Sequence, residues 1–188
     1  MAKVILVGTS MGSLLALEFA NNFPGLVEKV ILLAPPTNTK EKKARQLFKY
    51  FYSLAEKYQR FGFFLKTILS FRIASYGLGF FLMKKFDKKM IDEYGVEGKR
   101  LTKPETWVPM GIESADFLTV KNLQKLCLPS LILAGDSDKF IDQPGLYSAV
   151  SANLKTELVI LSKAGHVLHL EKPEAVAQKI ESFLKIRN

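Results

Sequence analysis

Four short apolar runs constrain the fold of this chain more than any other feature: Val4–Val7, Val30–Leu33, Leu131–Ala134 and Glu157–Leu161. None alternates strictly between apolar and polar residues, as a strand with one wet face does. Each therefore reads as a buried strand of a parallel sheet. Between them the apolar spacing becomes helical, over Met11–Asn22 after the first run, Pro144–Ala152 after the third and Pro173–Ile186 after the fourth. The last of these opens with proline at a favoured first-turn position. Strand alternating with helix predicts an α/β fold of about four parallel strands with flanking helices.

The connection after the second run breaks this rhythm. Thr37 to Met110 is 74 residues, far beyond a loop, and predicts an inserted helical subdomain, or cap, spanning 37–110 on a core made of 1–36 and 111–188. Nine of the 14 Phe fall in the insert, at i, i+3 and i+4 spacings that suit packed amphipathic helices. The polar stretch Asn38–Lys43 is the expected entry hinge and Trp107–Gly111 the exit.

The formal net charge of +9 also originates here, because 37–110 carries 16 Lys/Arg against 7 Asp/Glu while the rest carries 11 of each. These charges interleave with Phe, Leu and Tyr, which reads as solvated helix faces. An anionic lipid surface or anionic substrate is the alternative, giving peripheral membrane contact, and a nucleic-acid partner is not expected. A membrane span is disfavoured, since Lys66 and Arg72 interrupt 61–83 and Gly62, Gly77 and Gly79 loosen it. Met1–Gly8 is too short for a secretory apolar region, and the single Cys127, beside an apolar strand, is expected to be a buried core thiol. Both features fit a cytoplasmic protein.

Three segments carry chemistry. Gly8-Thr9-Ser10-Met11-Gly12 is a G-x-S-x-G pentapeptide between a strand and a helix. Small residues at its ends permit a tight turn that lifts the Ser10 hydroxyl, while the backbone N–H of Met11 at the helix amino end can face a developing oxyanion. The bland alternative is that the glycines only allow the turn and Ser10 caps the helix. The only histidines, His166 and His169, follow the last strand, and Gly165 lets that loop bend so that His166 lies over the carboxyl ends of the strands. His169 is expected to start the final helix and act structurally. As a metal pair the two lack a third ligand, so no metal is expected. Past the third strand, Asp136 and Asp138 supply carboxylates; Asp138 is the favoured partner of the imidazole, with Asp136 bracing the turn through backbone N–H groups.

This order of motifs resembles the cap-bearing α/β-hydrolase superfamily: strand, G-x-S-x-G, strand, insert, strand with Gly135-x-x-Asp138, strand with Gly165-His166, then Glu171-Lys172-Pro173-Glu174. The resemblance implies a Ser10–His166–Asp138 triad, no cofactor, and hydrolysis of a small-molecule or lipid-like ester, with an apolar acyl group suggested by the aromatic insert. A carbon–carbon bond hydrolase with the same triad, or a non-catalytic ligand-binding or interaction module, are the rival expectations. Serine in the elbow disfavours the dehalogenase and epoxide-hydrolase branches, which place aspartate there. In that superfamily the elbow strand is the fifth of eight and a glycine-rich loop before it donates a second oxyanion N–H, whereas seven residues precede Gly8. The expectation is thus a fold lacking its N-terminal strands, with its elbow strand at an exposed edge open to a second copy or a complementing chain.

Overall fold

The computed structural model describes residues 2–37, 82–96 and 119–185, together with scattered positions between 50 and 80. Two compact units divide the chain. One comprises 1–38, 82–85 and 118–188; the other comprises 39–81 and 86–117. Both expected hinges lie outside the described residues, as does much of the expected insert.

The first unit holds a four-stranded parallel sheet in the order β1 (Val4–Thr9), β2 (Val27–Leu33), β3 (Ser130–Gly135), β4 (Thr156–Leu161). Strands paired in sequence order, each stepping in the same direction, put right-handed crossover helices on one face. Helices α1 (Met11–Asn22) and α3 (Gln143–Ser151) are those crossovers, and α2 (Thr119–Lys125) packs against both. Helices α4 (Leu168–Glu171) and α5 (Pro173–Lys185) pack against each other and against β3.

The strands differ in burial for a simple reason of position. Flanked on both sides, β2 and β3 bury Val30, Ile31, Leu32, Leu131, Ile132 and Leu133 to 5% exposure or less, and each such side chain contributes about 1.5–3 kcal/mol by leaving water. At one edge, β1 leaves Val4, Ile5 and Val7 at 48%, 42% and 57% exposure. At the other, β4 is mostly half-buried. Full burial therefore holds for the inner pair alone, and the elbow strand β1 lies at an exposed edge as expected.

Lys29 on β2 is buried, and its ammonium donates to the carbonyls of Phe183 and Leu184, 3.3 Å from each. A cation thus meets the carbonyls that the last turn of α5 cannot satisfy itself. Cys127 overturns the expectation of a core thiol, because it is exposed. The neighbouring Leu126 takes the inward position at 2% exposure, which leaves the adjacent side chain facing out.

In the second unit, the described aromatic residues Tyr76, Phe80 and Phe86 form a cluster. Phe80 stacks on Phe86 at 4.1 Å between centroids and Tyr76 meets Phe86 edge-on at 5.9 Å. The Tyr76 hydroxyl donates to Asp92 Oδ1 at 2.9 Å. Asp87 caps the single helical turn Lys88–Met90 by accepting from the Met90 N–H at 2.9 Å. Among the described residues, no helix is long and apolar enough to cross a membrane.

Candidate active site

Parallel strands deliver their carboxyl ends to one edge of the sheet, and the chain turns there three times in ways that need small residues. At the end of β1, Ser10 has φ 51° and ψ −119°, a strained conformation for a residue with a side chain. The turn is held from both sides. The Ser10 N–H donates to the Leu33 carbonyl at 2.8 Å, extending the ladder to β2, while the Ser10 carbonyl accepts from the Ser13 N–H at 2.9 Å and from the Ser13 hydroxyl. Met11 opens α1, so its N–H has no partner within the helix and is free to act at the amino end.

The two glycines of the pentapeptide are not equivalent. A Cβ on Gly8 would lie 2.6 Å from the Gly12 carbonyl carbon and 2.7 Å from Ser13 Cα, because the first turn of α1 crosses directly over β1. At Gly12, a Cβ would meet no described atom within 4 Å. What the fold requires at position 12 is backbone close to Gly8.

At the end of β3, a Cβ on Gly135 would collide with the carbonyl oxygens of Ala164 and Gly165. That close approach lays the loop after β4 directly upon the turn after β3. Asp136 fastens the two. Its Oδ2 accepts from the Lys163 N–H at 2.9 Å and its Oδ1 from the Ala164 N–H at 3.3 Å and the Ser137 hydroxyl at 2.8 Å. The Lys163 N–H foremost, then the Ser137 hydroxyl, hold the Asp136 carboxyl below its ordinary pKa.

Two residues on, Asp138 turns inward. Its Oδ2 lies 2.8 Å from His166 Nδ1, and its Oδ1 accepts from the Phe140 N–H at 2.8 Å. The Asp138 side chain is fully buried and that of His166 is 8% exposed. His166 Nε2 in turn lies 2.7 Å from Ser10 Oγ. The hydrogen-bonding roles follow from chemistry. A carboxylate only accepts, so Nδ1 carries the proton and Nε2 is left bare to accept from the serine hydroxyl. Phe140 tilts over the imidazole at 4.8 Å between centroids.

The structure therefore brings Ser10, His166 and Asp138 into one chain of hydrogen bonds and sends Asp136 elsewhere. His169 is exposed and lies on the short α4, not at the start of the final helix α5. Desolvation of its ring first, and the neighbouring His166 second, push its pKa down. No group of three metal-ligating side chains is found among the described residues.

Sequence reasoning missed several supports of this site. The Ser13 hydroxyl and Phe140 leave little trace, being common residue types at unremarkable spacings. A larger omission is the strap Leu82–Lys85, which lies within the expected insert yet belongs to the first unit. Its carbonyl at Leu82 accepts from the His166 N–H at 2.6 Å. A backbone hydrogen bond to a partner 84 positions away has no residue-type signature.

Comparison with known proteins agrees with this architecture. The chain is 25% identical over 190 residues to the uncharacterized hydrolase YugF of Bacillus subtilis, across 97% of this chain and 66% of that protein. In three dimensions it is similar to an esterase from Exiguobacterium antarcticum, with a TM-score of 0.72 and 18% identity over 99% of this chain and 68% of that one. It is likewise similar to a thermophilic esterase from Thermogutta terrifontis, with a TM-score of 0.70 and 19% identity over 98% of this chain and 65% of that one. The chain thus spans about two thirds of the length of the relatives it matches. At these identities the structural likeness speaks for the fold alone. The family model for the alpha/beta hydrolase fold matches residues 2–173, nearly the whole chain, and with the parallel sheet and strained serine turn already described, this chain belongs to the α/β-hydrolase family.

Proposed function

We propose that this chain is a serine hydrolase that cleaves a carboxylic ester with an apolar acyl group, using Ser10 as nucleophile, His166 as general base and acid, and Asp138 as the residue that orients the imidazole. One observation carries the reading: a buried carboxylate, an imidazole and a hydroxyl joined at 2.8 and 2.7 Å, with the hydroxyl on a strained turn.

In this reading the Ser10 hydroxyl gives its proton to His166 Nε2 as its oxygen attacks the ester carbonyl carbon. The carboxylate of Asp138 stabilises the imidazolium, and the Met11 N–H faces the oxyanion of the tetrahedral intermediate. His166 then passes its proton to the departing alkoxide, leaving the acyl group on Ser10. Water, deprotonated by the same imidazole, releases the acid and restores the hydroxyl. The sequence of steps is complete without a metal or an organic cofactor.

The ester assignment draws support from the two similar structures that are esterases. The preference for an apolar acyl group draws support from the aromatic-rich sequence of 37–110, which holds nine of the 14 Phe. The test is covalent labelling with a fluorophosphonate, followed by peptide mapping and by hydrolysis of p-nitrophenyl esters of increasing chain length. Modification at Ser10, absent in Ser10→Ala, is expected; modification that persists in Ser10→Ala overturns the nucleophile assignment.

A further inference from the structure

We propose that Glu171 is a positioning residue for His166, acting as a two-oxygen clamp that fixes the histidine loop to the strap Leu82–Lys85. The inference rests on the reading of His166 as the general base and adds a residue to that machinery.

Each oxygen of the Glu171 side chain holds a different backbone segment. Oε1 accepts from the Gly165 N–H at 3.0 Å, immediately before the histidine. Oε2 accepts from the Lys84 N–H at 2.7 Å, on the strap. Between these anchors the His166 N–H donates to the Leu82 carbonyl at 2.6 Å. Three hydrogen bonds thus join strap and histidine loop twice, once directly and once through the Glu171 carboxylate.

The packing is as close as the bonding. A Cβ on Gly165 would lie 2.5 Å from the Leu82 carbonyl oxygen, 2.7 Å from the Lys84 nitrogen and 2.9 Å from Glu171 Oε1. Glycine at 165 is therefore required by the strap as well as by the bend of the loop. The site side of His166 is held by Asp138, the backbone side by this clamp.

Fixing the imidazole from behind matters because its two ring nitrogens must meet both partners at once. A shift of about 1 Å at a reacting group can cost on the order of 10²-fold in rate. A carboxylate suits the clamp where an amide does not. Both backbone groups are N–H donors, and glutamine would turn its own NH₂ towards one of them.

The experiment compares wild type, Glu171→Gln and Glu171→Ala by three readouts: thermal melting, the rate constant for fluorophosphonate labelling, and the downfield proton resonance of the imidazole Nδ1–H bonded to Asp138. Labelling is expected to slow by about 10- to 100-fold in Glu171→Gln, with the resonance broadened or lost and melting little changed. Unchanged labelling together with an intact resonance overturns the inference. Should Glu171→Ala fail to fold, Glu171→Asp keeps the charge but is one methylene too short to reach both N–H groups at once, and is expected to slow labelling likewise. If wild type itself resists labelling, the hydrolase reading fails, and the resonance by itself decides whether Glu171 positions the imidazole.

Discussion

Replacing Asp138 by asparagine tests the relay with almost no change of volume. The buried carboxylate accepts from two groups, the His166 Nδ1–H and the Phe140 N–H, each at 2.8 Å. Asparagine offers one acceptor oxygen and one NH₂, so it can satisfy only one of them. If the amide oxygen stays with Phe140, the NH₂ faces His166 and forces the proton onto Nε2. That tautomer cannot take the proton from Ser10, and the loss approaches about 10⁴-fold. If the amide flips, the correct tautomer returns, but two N–H donors confront each other in a buried site at a cost of about 1–3 kcal/mol. At about 1.4 kcal/mol per tenfold, that route still loses roughly 5- to 150-fold. The fluorophosphonate labelling rate of Ser10 near pH 8 measures either outcome. A rate within threefold of wild type, in a variant that melts as wild type does, would refute the assignment of Asp138.

The two elbow glycines should respond oppositely to alanine. Gly8→Ala pushes a methyl into the backbone of Gly12 and Ser13 and is expected to lower stability by about 1–3 kcal/mol, whereas Gly12→Ala should be neutral or stabilising by up to about 1 kcal/mol because alanine favours the helix; urea unfolding midpoints distinguish them. For Asp136, the folded-state pKa lies below the ordinary value. Its stabilising contribution is therefore fully present above the unfolded value of about 3.9 and fades as pH falls through the folded one. Asp136→Asn is expected to have a lower urea midpoint than wild type at pH 7 and a smaller deficit near pH 3, and a deficit that grows on acidification would contradict this.

Much of this molecule was legible before any coordinates because the informative signals are local. Strand and helix periods are read over a handful of residues, and β1, α1, β2, β3, β4 and α5 fall where the apolar runs place them. The elbow is equally local. A pentapeptide between a strand and a helix contains both the strained serine and the glycine whose missing side chain makes room for α1. With two histidines in the whole chain, both beside one strand end, the base had few places to be.

What the tertiary structure alone decided is how deeply each strand is buried and which backbone segments close on the site. The residues already favoured Asp138 for the imidazole and Asp136 for the turn, but that the backbone Asp136 holds is the loop after β4, pressed against Gly135, appears only in the fold. Whether a strand is inner or outer depends on its neighbours, so Val7 and Val30, the same residue type in similar runs, end at 57% and 0% exposure. The strap at Leu82–Lys85 and its hold on Glu171 involve backbone groups that every residue possesses. Composition and spacing report side chains and local periods, whereas a long-range contact between main-chain atoms exists only once the chain has closed on itself.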